Sequence, residues 1–214
     1  MHIGIIGCGK MGQRVNALAQ KQGHSVSMFG RSDPLTQDPD IFIDFSQAEA
    51  VLGRLQELAH LQRSVVIGTT GWEAHLEQAQ HIVNTHSMAA LYSPNFSLGV
   101  IHFMQLVAYA KKLYPEYACA GLEIHHSHKK DSPSGTARLM SERYGIKFSS
   151  VRLGQNFGTY QIFLESPYDQ ITLCHTATSR ESYAHGALQA ALWLYSQQGW
   201  KTLDDYLHSS YHTV

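Results

Sequence analysis

The residues best equipped for chemistry stand together in Glu123-Ile-His-His-Ser-His-Lys-Lys-Asp-Ser-Pro-Ser-Gly-Thr136, where three histidines and two lysines fall within the six positions His125–Lys130. Histidine titrates near neutrality and lysine carries a positive charge, so either can hand a proton to a bound anionic substrate. Ser134-Gly135-Thr136 stands directly behind, where a helix is expected over Thr136–Tyr144. Two hydroxyls and the N–H groups of a helix start suit an anion, a carboxylate above all. Zinc held by His125, His126 and His128 is a rival reading. Neighbouring strand residues point to opposite faces, the segment has no cysteine, and two lysines repel a cation, so no metal is expected. A basic surface loop is the plainest reading, opposed by the coincidence of so many suitable groups with a helix start.

A second motif, Gly7-Cys8-Gly9-Lys10-Met11-Gly12, follows the apolar run His2–Ile6 and precedes a helical pattern with Val15, Leu18 and Ala19 on one face. Strand, glycine turn and helix in this order aim backbone N–H groups at a pyrophosphate. Gly7 permits the tight turn, Gly9 lets a phosphate approach, and Gly12 lets helix and strand pack closely. A dinucleotide is the expected ligand, with Lys10 and Met11 beside it; an ordinary βα turn is the alternative. A nicotinamide coenzyme would supply hydride to a substrate that the histidine-lysine segment protonates. NAD-preferring sites usually close the second strand with an acid. Gly30 stands there instead, followed by Arg31, whose guanidinium suits a 2′-phosphate. The cofactor is therefore NADPH or NADH, with the lean toward NADPH. Gly68-Thr69-Thr70-Gly71 and Ser93-Pro94-Asn95-Phe96 each follow a strand, where turns line the ligand crevice of such sheets. Gly68, Thr69 and Thr70 join Ser93, Pro94, Asn95 and Phe96 as expected cofactor contacts.

These groups need a scaffold. Strands are expected at His2–Ile6, Ser25–Phe29, Ile41–Phe45, Ser64–Ile67 and Met88–Tyr92, with helices after Gly12 and over Ala48–Leu61 and Trp72–Asn84. That order implies a Rossmann-like, doubly wound parallel sheet. Beyond Ser93-Pro94-Asn95 the pattern changes to a long helix, Leu98–Leu113, and a strand at Ala118–His126. Strands then follow at Val151–Leu153, Thr159–Leu164 and Gln170–Thr176, an α+β arrangement around an open mixed sheet. Thr178-Ser179-Arg180-Glu181 has the capping-box pattern and opens a helix to about Gln197 whose apolar face is Ala184, Leu188, Ala191, Leu192 and Tyr195. Two domains result: 1–96 with 180–214 for the dinucleotide, and 97–179 for substrate. Arg180 is read equally as a substrate contact or a structural ion-pair partner.

With 214 residues and a net charge of −1, the chain can bury a sizeable core, and its charge gives no reason to expect nucleic acid or a membrane surface as the main partner. Cys8, Cys119 and Cys174 are odd in number and widely spaced, which argues for a reducing compartment. The glycine motif begins too early for a leader ahead of it, no apolar run reaches the ~20 residues of a membrane helix, and a cytoplasmic location is expected. Of the 14 histidines, His60, His75, His81 and His208 lie in polar helical patterns and read as surface residues.

Taken together, GCGKMG at 7–12, DIFIDFSQAEAV at 40–51, GTTGW at 68–72, SPNFSLGV at 93–100, EIHHSHKKDSPSGTA at 123–137 and HTATSRESYAHGAL at 175–188 resemble the dihydrodipicolinate reductase family. The histidine-lysine-SGT stretch is the specific part. The resemblance implies tetramers formed through the second sheet and reduction of a small cyclic dicarboxylate, 4-hydroxy-tetrahydrodipicolinate, to tetrahydrodipicolinate by NADH or NADPH. It implies His125 as acid/base, Lys129 as proton donor, and His126, Ser134, Gly135 and Thr136 as substrate contacts. The GTTG turn and Ser93–Phe96 correspond to cofactor contacts, and Arg31 to a position near the adenosine phosphate. A dinucleotide-binding protein without turnover, or a related two-domain reductase of another carboxylate, is the alternative. The chain departs from the family pattern in three places. The link from the second strand to the third is about ten residues, below the usual dozen of a parallel crossover. The stretch between Gly145 and Gly158 is short, and Gly30 replaces the ribose acid.

Overall fold

The computed structural model describes residues 1–211, so the last three residues of the expected first domain lie outside it. The chain divides into two compact units, Met1–Phe96 with Tyr183–Val214, and Ser97–Ser182.

The first unit is built on six parallel strands: β1 (His2–Ile6), β2 (Ser25–Phe29), β3 (Ile41–Asp44), β4 (Val65–Ile67), β5 (Ala89–Tyr92) and β10 (Gly199–Thr202), in the order β10-β5-β4-β3-β1-β2. Its central strands read as unbroken apolar runs because helices can cover both faces of such a sheet. Ile3, Ile5, Ile41, Ile43 and Val66 are fully buried, each contributing about 1.5–3 kcal/mol. Helices α1 (Lys10–Lys21), α2 (Val51–Leu61) and α3 (Leu76–Asn84) join them, the last two entered through 3₁₀ turns at Ala48–Ala50 and Glu73–His75. On α1, Gly12, Val15 and Ala19 are buried, and Leu18 only half-buried.

Strands β2 and β3 flank β1 on opposite sides, and the chain between them crosses without a helix. Side chains hold that crossing in place of a helix. Arg54 of α2 donates to the carbonyls of Gly30, Arg31 and Asp33, Arg63 donates to that of Gln37, and Asp40 accepts from the His2 N–H at 2.7 Å.

In the second unit β6 (Ala118–His125), β7 (Lys147–Arg152), β8 (Thr159–Glu165) and β9 (Gln170–Thr176) form a mixed sheet in the order β7-β6-β8-β9, parallel only between β6 and β7. Helix α4 (Leu98–Leu113) packs with β9 and α5 (Gly135–Tyr144) with β7. Their core joins Val100, Phe103, Met104, Val107, Ala137 and Met140 to Tyr160 and Ile162.

Several boundaries differ from expectation. Strand β7 begins four residues early because its residues are polar and half-exposed, leaving little apolar signal. Helix α6 (Glu181–Leu194) buries Ala184, Leu188 and Ala191, but Tyr195 lies beyond its end and is exposed. At its start the Glu181 N–H donates to Ser179 Oγ rather than to Thr178. Strand β10 and helix α7 (Leu203–Tyr211) were not expected at all. A four-residue edge strand, Gly-Trp-Lys-Thr, has no alternation to betray it, and only its pairing with β5 makes it a strand. Among the described residues no helix is long and apolar enough to cross a membrane.

Candidate active site

In the first unit all strands run the same way, so their carboxyl-end turns share one edge. Gly7, at φ +101°, lies so close to β3 that a Cβ would sit 2.4 Å from the Phe45 carbonyl oxygen. A Cβ on Gly12 would meet the Gly7 oxygen at 1.9 Å, so α1 can start this close to β1 only with glycine. At Gly9 nothing lies within 4 Å of that position. Gly9 is the N-cap of α1 and provides no side-chain cap, and the first turn holds no acid. Uncapped N–H groups at the positive end of a helix dipole, facing open space, fit a pyrophosphate. Lys10 and Met11 flank that opening.

Beside it, Gly68 allows the Phe45 ring to approach: a Cβ would lie 2.2 Å from it. Thr69 is buried and donates to Asp44 Oδ1 at 3.1 Å, and its carbonyl accepts from Trp72 Nε1 at 2.7 Å. Thr70 is exposed. Asp44, unremarked in the sequence, closes β3 almost wholly buried and accepts from the Ser46 N–H at 2.7 Å. Burial pushes its carboxyl above the usual aspartate range, against the hydrogen bonds from Ser46 and Thr69. After β5, Ser93 Oγ donates to the Asn95 carbonyl at 2.7 Å, Pro94 is exposed, and Phe96 is buried edge-on to Phe45.

After β2, Arg31 is exposed while its carbonyl is tied to Arg54. The acid missing at Gly30 arrives from three residues on. Asp33 Oδ2 accepts from the Gly30 N–H at 2.7 Å and lies 3.1 Å from where a Gly30 Cβ would be. No spacing rule reveals that, since it depends on the loop that Arg54 holds.

In the second unit lie the residues read as proton-transfer and carboxylate-binding groups. Glu123 and His125 share the buried face of β6, as the period of a strand dictates. His125 turns Nε2 to the Tyr160 hydroxyl at 3.3 Å, and its Nδ1 lies 3.6 Å from Glu123, beyond hydrogen-bond range. Burial, helped by Lys129 and Arg152, holds the ring below the usual histidine range, opposed by Glu123. Glu123 is fully buried. Burial alone would raise its carboxyl, yet hydrogen bonds from Ser134 and Ser150 outweigh it and the group sits low.

Lys129 Nζ meets Asp131 Oδ1 at 2.8 Å. His126 is half-buried, its ring centroid 6.4 Å from that of His128. Ser134 is buried and serves as N-cap of α5: its Oγ accepts from the Ala137 N–H at 3.2 Å and lies 3.2 Å from the Tyr160 hydroxyl. Gly135 is exposed, with nothing within 4 Å of a Cβ there, and Thr136 is half-buried. Open space at this helix start lies at Gly135. Among the described residues no group of three His, Cys, Asp or Glu side chains could hold a metal ion. Arg180 lies over the Phe157 ring at 5.7 Å, a cation–π contact. Tyr160 and Arg152, on β8 and β7, are the neighbours of the segment that sequence spacing gave no means to find.

Two family models match the chain: dihydrodipicolinate reductase, N-terminus, over residues 16–96, and dihydrodipicolinate reductase, C-terminus, over residues 99–207. The 4-hydroxy-tetrahydrodipicolinate reductase of Thermosipho africanus is 30% identical over 99% of this chain and 100% of its own length. That of Archaeoglobus fulgidus is 34% identical over 79% of this chain and 76% of its own. Among solved structures, dipicolinate-bound dihydrodipicolinate reductase from Paenisporosarcina sp. TG-14 superposes with a TM-score of 0.79 at 21% identity, covering 94% of this chain and 97% of that one. The diaminopimelate dehydrogenase of C. glutamicum has a TM-score of 0.58 at 12% identity, covering 94% and 92%, and shares the fold. With both of its halves matched and relatives aligned along its whole length, the chain belongs to the dihydrodipicolinate reductase family.

Proposed function

We propose that the chain reduces 4-hydroxy-tetrahydrodipicolinate to tetrahydrodipicolinate with NAD(P)H, a step toward diaminopimelate and lysine. The observation that carries this reading is the junction of β6 and α5, where the Tyr160 hydroxyl joins His125 to Ser134 in the segment that also bears Lys129 and opens α5 at Gly135 and Thr136. NAD(P)H, when bound at the Gly7–Gly12 turn, supplies hydride. The chain's own residues do the remainder. Gly135 and Thr136 at the α5 start hold one substrate carboxylate, His126 adds positive charge when protonated, and Lys129 releases Asp131 to deliver a proton. With Nε2 already engaged by Tyr160, His125 orients this network; Ser134 contributes its cap.

Arg31 supports NADPH, since its exposed guanidinium can take a 2′-phosphate; the Asp33 carboxylate beside it opposes that charge and suits a ribose hydroxyl. Self-association as a homotetramer rests on the second sheet. Tyr160 and Ile162 alternate onto the face covered by helices, whereas Leu122, Ile124 and Phe163 alternate onto the other. A cytoplasmic location is supported by the free thiols of Cys8, Cys119 and Cys174.

The test is a coupled assay in which the synthase that makes the unstable substrate runs in the same cuvette. Oxidation of NADPH or NADH on addition of the folded protein is the expected result. Coenzyme binding without turnover would establish the binding-only alternative.

A further inference from the structure

Arg152, from the short stretch between Gly145 and Gly158, ends β7 opposite His125. Its Nε donates to the Lys129 carbonyl at 3.2 Å, and a terminal nitrogen donates to that of Asp131. The same terminal nitrogen lies 3.6 Å from Glu123 Oε1. Glu123 in turn accepts from the Ser134 N–H with both oxygens, at 3.0 and 3.1 Å, and from Ser150 Oγ at 2.7 Å.

Two opposite charges are therefore placed back to back under the segment. One holds the backbone that bears Lys129, and the other holds the residue that opens α5. We infer that Glu123 and Arg152 are a positioning pair for the reaction, setting Lys129 against the carboxylate-binding start of α5. Neither needs to touch substrate.

Stability alone explains the pair poorly. Glu123 is completely buried, and a buried ion pair is often no better for stability than apolar residues of the same volume. What apolar residues cannot supply is a fork of donors to two carbonyls and a carboxylate under Ser134. Lysine cannot replace the arginine either, because a single ammonium lacks that planar fork. The proposal rests on the reductase reading, so turnover by the unaltered protein is measured first, and its absence counts against that reading alone.

Arg152→Ala, Arg152→Lys and Glu123→Gln are then compared in the coupled assay, with coenzyme affinity measured separately by fluorescence titration. A misplacement of about 1 Å costs on the order of 100-fold in rate. The expected result is a loss of that order in kcat for both Arg152 variants, with coenzyme Kd unchanged. Ethylguanidinium added to Arg152→Ala restores part of the rate, since the arginine side chain is 22% exposed and its place can be reached. Combining Arg152→Ala with Glu123→Gln costs little beyond either alone.

Amide exchange over residues 126–137 is expected to quicken in Arg152→Ala. Near-normal kcat in Arg152→Lys, or losses that simply multiply in the double variant, would overturn the pairing. If Arg152→Ala fails to fold, Arg152→Lys decides by the same criterion.

Discussion

The Tyr160 hydroxyl stands between His125 Nε2, at 3.3 Å, and Ser134 Oγ, at 3.2 Å. The relationship follows from strand register. Tyr160 on β8 is the antiparallel partner of Glu123 on β6, and His125 follows two residues later on the same face. One hydroxyl thereby links the ring expected to act as acid or base to the cap of the helix expected to bind carboxylate.

Replacing Tyr160 by phenylalanine keeps the ring, edge-on to His125 at 5.5 Å, and removes the hydroxyl that makes the link. A buried imidazole nitrogen and a buried hydroxyl each lose a partner, which costs about 1–3 kcal/mol. We expect a lowered melting temperature and a fall in kcat, with coenzyme affinity unchanged. Wild-type stability and turnover in Tyr160→Phe would mean that the link is idle.

Lys129 is held by Asp131 at 2.8 Å, and this ion pair keeps the Asp131 carboxyl below its usual range. A lysine serving as general acid should be worth about 10²–10⁴ in rate. Lys129→Met should therefore lose most turnover while still binding coenzyme and melting normally. Asp131→Asn, which frees the ammonium without removing it, should keep most of the activity. If Lys129→Met turned over at the normal rate, the proton would have to come from elsewhere.

We expect coenzyme choice to turn on two side chains of opposite charge after β2, Arg31 and Asp33. Arg31→Ala removes the group suited to a 2′-phosphate, worth about tenfold or more in affinity for a charge-assisted contact, and should weaken NADPH without touching NADH. Asp33→Asn keeps an acceptor for the Gly30 N–H and removes the negative charge, so NADPH should tighten relative to NADH. Titrating both coenzymes against both variants checks the scheme. A ratio that moves in neither would place the adenosine elsewhere.

How much of this was legible in the residues depended on range. The glycine turn, the parallel strands and the segment from Glu123 to Thr136 announce themselves because their signals are local: a run of apolar residues, a glycine spacing, hydroxyls at a helix start. Arg152 and Tyr160 could not be found that way. Each reaches the site through strand pairing, 23 residues from Lys129 in one case and 35 from His125 in the other. Asp33 and β10 escaped for related reasons, one depending on a loop braced by Arg54 and the other on an edge left open by β5. Ser134 shows the reverse: its type and place were evident, but its burial as a cap was not.

Asp44 yields a prediction about pH. Burial raises its carboxyl in the folded protein above the ordinary 3.8, so folding favours the protonated form. The sign follows from linkage: the contribution of such a group is fully present below its unfolded value and is lost as pH rises through the folded one. Wild-type protein is therefore burdened by this carboxylate at neutral pH and relieved of the burden in acid. Asp44→Asn keeps an oxygen to accept from the Ser46 N–H and the Thr69 hydroxyl, as Oδ1 does now, and carries no charge to bury. Denaturant unfolding at pH 4.5 and 7.5 should show the variant gaining stability relative to wild type as pH rises. A gain in the opposite direction would mean that the nearby Arg54 guanidinium, which acts to lower the carboxyl, outweighs desolvation. The carboxylate would then be holding the Gly68–Gly71 turn by its charge rather than by its shape.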